Sequence, residues 1–255
     1  MSYPTWSDLN SPSVVPPLGA RQAPDIGPAA LMVSTAPDLR YISATQGKFS
    51  GSEFFTGRLL KGEGHNEGLT VAGPYIGAPY AVMLLESLIA KGARQIVILG
   101  WCGAISNALV PGDILVPERA IVDEGTSRHY ATLTQKLPST SPDKELNNRL
   151  ISFLESGGMQ VHTHPLWTTD AIYRETREKV NWYRDKGAAA VETECSALFA
   201  AAAHRKVNVA ALLVVSDSLA TPDGAWDPGF RKKQFKTMRK TACKSAVDFT
   251  RTLVQ

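Results

Sequence analysis

The chain has 255 residues, 44% hydrophobic and 20% charged, enough apolar material for one large α/β domain or two small ones. Net charge is +3 with lysines and arginines scattered, which indicates neither a nucleic-acid surface nor a membrane surface. Cys102, Cys195 and Cys243 are odd in number and far apart, which argues against a disulfide framework or a zinc pattern and for a reducing compartment, the cytoplasm.

No apolar stretch approaches the ~18 to 20 residues of a membrane span. The N-terminus, with Pro12, Pro16 and Pro17, lacks a basic start and an apolar h-region, so no signal peptide is expected. Residues 1–28 are expected to form an irregular arm, because proline opposes both helix and central strand. Residues 29–255 are expected to form one domain.

"ALMVST" (30–35) and "GLTVAG" (68–73) read as buried strands. "YAVMLLESLIAK" (80–91) has helical spacing and stops at Gly92. "RQIVILG" (94–100) is β-branched and uninterrupted, as a central parallel strand should be. "GDILVP" (112–117) predicts a strand, "KELNNRLISFLES" (144–156) an amphipathic helix, and "MQVHTHPLWTT" (159–169) strand-like chain. A charged helix over 173–187 ends at Gly187. "AAAV" is then a short strand, "CSALFAAAAHRK" a helix, "NVAALLVV" a strand, and 235–254 a last helix. This alternation predicts an α/β fold with a mixed, mostly parallel sheet covered by helices on both faces.

Ligands in such sheets bind beyond the carboxyl ends of strands. Three strands end in unusual residues: Trp101-Cys102-Gly103-Ala104, Glu192-Thr193-Glu194 and Ser216-Asp217-Ser218. If the three run parallel, these ends gather on one edge. Glu192 and Glu194, two apart, point the same way in extended chain and diverge in a helix. The same carboxylates would also suit a helix N-terminus, and Asp217 a turn or N-cap. The five histidines show no chelating constellation, so no metal is expected; His129 is the one to watch.

"AVETECSALFAAAA" and "ALLVVSD" resemble consecutive segments of the nucleoside phosphorylase family, which includes purine nucleoside phosphorylases, uridine phosphorylases and related nucleosidases. "GPYIGAPYAVMLLESLIAKGARQIVILGWCGAI" is similar to the family's glycine-proline helix and the strand and turn after it. "VPGDILVPERAIVDEGTSRHY" and "WTTDAIYRETREKV" resemble a uridine-phosphorylase-like bacterial and archaeal branch. The likeness is collinear from about Ala30 to the C-terminus.

The resemblance implies cleavage of a nucleoside's N-glycosidic bond by phosphorolysis, with inorganic phosphate as co-substrate, no other cofactor, and a homo-oligomer of two, three or six subunits. Glu194 matches the glutamate that holds the ribose hydroxyls, Thr193 the residue packing on the sugar, and Glu192 the acidic residue beside the base. Ser216 and Asp217 match the pair that faces a purine, the aspartate assisting its departure. Ile172 and Tyr173 lie in the segment that covers the base, Ile76 in the one near the sugar, and Trp101, Cys102 and Gly103 in the strand-end turn. Arg40 matches the first phosphate arginine if one extra residue follows Pro37. Ile98 replaces a second arginine and Trp101 a small hydroxyl residue. Hydrolysis, with water as nucleophile, and nucleoside binding without catalysis are therefore the alternatives.

Overall fold

The computed structural model describes residues 8–221 and 225–254. Residues 8–28 carry no helix or strand, and residues 1–7 of the expected arm lie outside the described residues. In chain order the elements are β1 (Ala29–Val33), α1 (Ala36–Thr45), β2 (Lys48–Phe54), β3 (Gly57–Glu63), β4 (Leu69–Gly73), α2 (Ala78–Lys91) and β5 (Gln95–Ala104). There follow β6 (Ile114–Leu115), β7 (Ala120–Asp123), β8 (Ser139–Thr140), α3 (Lys144–Ser156), β9 (Val161–His162), β10 (Leu166–Thr169) and α4 (Arg177–Asp185). The chain closes with β11 (Ala190–Glu192), α5 (Cys195–Arg205), β12 (Asn208–Ser218) and α6 (Lys233–Arg251).

All strands join one mixed sheet in the order β2-β3-β4-β1-β5-β11-β10-β7-β8, with β12, β6 and β9 branching from β5. β5 is the hub. Its first half lies between β1 and β12, both parallel to it. β1 ends at Val33, and the place it vacates beside Gly103 and Ala104 is taken by β11. That pairing is antiparallel, so the three strand ends do not all run the same way as the sequence-based condition required. β11 has only three residues and is parallel to β10 on its other side, so it meets β5 head-on at the hub's far end.

The alternation along β5 sorts the two layers. Ile96, Ile98 and Cys102 face a core built with α2 and α5. Val97, Leu99 and Trp101 face the other, built with α1, α3 and α6. Each fully buried leucine in these layers stabilises the fold by about 2 kcal/mol relative to exposure. Helix starts are set locally: Thr35 caps α1, Asp143 caps α3 and Thr176 caps α4 through side-chain oxygens.

Three boundaries differ from expectation. The strand at 112–117 shrinks to Ile114–Leu115 because Gly112, at φ +104, turns the chain. The stretch 159–169 splits into β9 and β10 around Pro165, which can donate to no ladder. The helix at 173–187 begins at Arg177, since Ile172–Arg174 form a single 3-10 turn before the Thr176 cap.

Candidate functional site

The antiparallel register of β11 decides the geometry. Ala190 faces Ala104 and Val191 faces Gly103, which brings Glu192 level with Cys102. On the other side of β5, Asp217 pairs with Gly103. The two acidic turns therefore flank the same two residues of the hub strand, although their strands run in opposite senses.

A β-bulge at Ser216 re-aims Asp217. The Ser216 hydroxyl lies 3.2 Å from the Cys102 carbonyl and 2.5 Å from Asp217 Oδ1. The Trp226 indole donates to Asp217 Oδ2 at 2.8 Å. The space beside Gly103 is tight: a Cβ would stand 3.1 Å from Asp217 Oδ2 and 3.2 Å from the Leu219 side chain, so either side chain would have to give.

Glu192 and Glu194 part ways. Glu192 is buried, and Oε1 accepts from the Thr168 hydroxyl at 2.5 Å. Its Oε2 accepts the backbone N–H groups of Glu194 and Cys195, both at 2.7 Å. Both oxygens thus engage the N-terminus of α5 and its neighbour β10. The helix-capping alternative describes Glu192.

Glu194 sits at the N-cap of α5 without capping it through its side chain. Oε1 accepts the Gly77 N–H at 2.6 Å and the Thr193 hydroxyl at 2.5 Å. Gly77 precedes α2 with φ +80, a conformation that favours glycine. Among the described residues Oε2 takes no hydrogen bond, which leaves an acceptor for a ligand. Burial first, then the charge of Glu192, raises the Glu194 carboxyl to about 7. Tyr75, which the sequence reading passed over, is buried nearby with no hydrogen-bond partner for its hydroxyl. Burial and the Glu194 charge push that phenol well above its ordinary range. Its signal was available in "GPYIG", two residues before the glycine that meets Glu194.

The opposite side of the site is built differently. Ile98 is core, 2% exposed. Trp101 turns to the α1/α6 face, where its ring meets Phe235 edge-on at 5.0 Å and Nε1 donates to Asp38 Oδ2 at 2.7 Å. Strand alternation sends it to that face while Cys102 points to the α2/α5 core. Asp38 is buried, 2.8 Å from the Thr35 hydroxyl and 3.2 Å from the Arg239 guanidinium. Burial raises its carboxyl despite those partners. Cys102 is buried with its side chain in the α2/α5 core, so it can offer a ligand only backbone.

Arg40 is exposed and looks into a groove of about 630 Å³ between α1 and the β2–β3 hairpin. Arg58 and Pro74 line it too; Pro74 belongs to the segment that carries Tyr75 and Gly77. Ile76, Ile172 and Tyr173 are 72%, 50% and 100% exposed, at the margin rather than inside. His129 ends a short 3-10 turn beside Met83 and Asp170. Among the described residues no three His, Cys, Asp or Glu side chains are grouped to hold a metal ion, and no helix is long and apolar enough to cross a membrane.

A hub strand flanked by two acidic turns defines a class: an α/β protein with an acidic candidate site where β11 and β12 meet β5. A model of the phosphorylase superfamily matches residues 25–254, and the chain belongs to that family. A guanosine phosphorylase from Halorubrum lacusprofundi is 30% identical over 151 residues, 59% of this chain and 61% of that protein. The match thus spans less than two thirds of that relative. The structure of uridine phosphorylase from Vibrio fischeri superposes with TM-score 0.77 at 21% identity, covering 91% of this chain and 94% of that one. Purine nucleoside phosphorylase from Toxoplasma gondii gives 0.78 at 19%, covering 96% and 98%. At these identities the structures speak for the fold: one α/β domain with a mixed, mostly parallel sheet between helices.

Proposed function

We propose that this protein cleaves the N-glycosidic bond of a purine nucleoside by phosphorolysis, releasing the base and a pentose 1-phosphate. The carrying observation is that β11, which leads into Glu194, and β12, which carries Asp217, pair with Gly103 of β5 from opposite sides. As the C1′–N9 bond breaks, its electron pair passes to the base and positive charge grows on the sugar. An ionised Glu194, accepting from the ribose hydroxyls through Oε2, stabilises that charge. Asp217 faces the base, whose ring nitrogen gains electron density. A phosphate oxygen then bonds to C1′.

Arg40 and Arg58, across one groove, are the donors that would hold the phosphate, since guanidinium forks suit its oxygens. No other cofactor is needed. The exposed Ile76, Ile172 and Tyr173 support a homo-oligomer in which a second copy covers the site margin. Three free, buried cysteines suit a cytoplasmic place in nucleoside salvage.

Hydrolysis has one observation in its favour. Asp38 is an internal anion that already engages the Trp101 indole and Arg239. A phosphate brought close to it would meet like charge. Product analysis on a nucleoside panel, with and without phosphate, decides: pentose 1-phosphate supports phosphorolysis, free pentose without phosphate dependence supports hydrolysis, and ligand binding without base release defeats both.

A further inference from the structure

Trp226 belongs to none of the segments singled out for chemistry, yet it decides how Asp217 is aimed. The Asp217 carboxyl has two donors, one for each oxygen. The Ser216 hydroxyl lies 2.5 Å from Oδ1, and the Trp226 indole N–H donates to Oδ2 at 2.8 Å. The two are not equivalent. A hydroxyl has one hydrogen, and that of Ser216 is also within reach of the Cys102 carbonyl at 3.2 Å. The indole N–H is a pure donor on a rigid ring, and Oδ2 is its one acceptor among the described residues. An aspartate carboxyl otherwise turns broadly about its last torsion. The indole therefore sets its plane.

Trp226 is in turn held by the fold. The backbones of Ser218 and Asp227 bond to each other in both directions, at 3.0 and 2.9 Å. This ties the residue after Asp217 to the residue after Trp226. The Trp226 ring meets Phe230 with centroids 5.8 Å apart, and lines a cavity of about 210 Å³ with Leu219. Leu219 and Asp217 Oδ2 are also the two groups nearest to where a Gly103 Cβ would stand. The oxygen that Trp226 holds is thus the one turned to the hub strand, between the acidic turns. At 56% exposure the ring adds little to the core, so its N–H is the feature that matters.

We propose that Trp226 is a positioning residue for the reaction: its indole N–H fixes the Asp217 carboxylate so that the leaving purine meets an acceptor at N7. This rests on the reading of Asp217 as base-facing. As the C1′–N9 bond breaks, its electron pair enters the purine and N7 takes a proton from the solvent. The N7–H donates to the fixed carboxylate, which stays ionised throughout. The phosphate returns one proton to the solvent once its oxygen is esterified at C1′, so the protons balance. Trp226 acts through Asp217 alone.

The test is a double-mutant cycle of Trp226→Phe and Asp217→Asn, run on guanosine and on 7-methylguanosine. The second base is already cationic and leaves without a proton at N7. Phenylalanine keeps a ring beside Phe230 and lacks the N–H. Trp226→Phe is expected to lose about 10- to 100-fold in kcat on guanosine, the scale of one hydrogen bond to a charged group. KM should move less than kcat, and 7-methylguanosine turnover should be kept. In the Asp217→Asn background the same substitution should cost guanosine turnover nothing further. Wild-type guanosine turnover in Trp226→Phe overturns the proposal. Equal losses on both nucleosides overturn it by marking a structural role, and additive losses in the double variant by showing that Trp226 acts elsewhere. In each case, loss of guanosine turnover in Asp217→Asn leaves the base-facing reading intact. Wild-type guanosine turnover in Asp217→Asn removes that reading itself.

Discussion

The two sides of the candidate site are built by opposite strategies. On the β11/β12 side, carboxylates are held by backbone donors and hydroxyls, and one oxygen of Glu194 is left for a ligand. On the β1/α1 side, the buried carboxylate of Asp38 is consumed internally by Thr35, Trp101 and Arg239, while the arginines available to a ligand sit outward in a groove. A charge is useful to a ligand only if the fold leaves part of it unsatisfied, and costly to bury if it leaves too much. The same contrast recurs two residues apart: Glu192 is fully committed to the fold, and Glu194 only half.

The largest effect that could break this contrast is on turnover. Glu194→Ala should lower kcat by about 100- to 1000-fold, in the range for removing one preorganised electrostatic partner, while circular dichroism stays native. Unchanged turnover would put Glu194 with Glu192 as a structural residue. The pH dependence carries the sign. Glu194 must be ionised to accept from the sugar, so activity should fall as pH drops through about 7. Because its folded pKa is raised, neutralisation favours the fold: the contribution is present below the ordinary carboxyl range and lost as pH rises through about 7. Glu194→Gln should therefore raise the melting temperature at pH 8 and leave it nearly unmoved at pH 4.

Next in size is the arginine groove. Arg40→Ala and Arg58→Ala should each raise the KM for phosphate by about 10-fold, the loss of one charge-assisted contact, with the nucleoside KM unaltered. If both nucleoside and phosphate terms stay at wild-type values, the groove is not the nucleophile's site.

Glu192→Ala should act on stability. It strands two buried N–H groups and the Thr168 hydroxyl, a loss of about 2 to 4 kcal/mol in urea unfolding. A variant as stable as wild type would show that Glu192 is not the cap of α5. The smallest effect belongs to Trp101→Phe, which keeps the ring against Phe235 but removes the donor to Asp38, at about 1 to 2 kcal/mol. Wild-type kinetics in this variant would fit an indole outside the site; a large rise in KM would return Trp101 to it.

Much of the central architecture was legible because it is periodic and buried. β1, β4, β5, β12 and helices α2, α3 and α5 follow apolar patterns with glycine or polar stops. The hairpin β2–β3 was not legible: "KFSGSEF" is mostly exposed and has no apolar face, and its register comes from β3 pairing with β4. α1 was not legible because its ten residues carry only a weak apolar face, and its start is set by Thr35 and Asp38.

By itself the sequence determined which residue types end the buried strands, and so the acids Glu192, Glu194 and Asp217, because burial period and strand termination are local properties. Only the tertiary structure decided their separate employments. The direction of β11 against β5, the bulge at Ser216 and the approach of Gly77 to Glu194 are long-range pairings, and desolvation and hydrogen-bond supply depend on those partners rather than on neighbours in the chain.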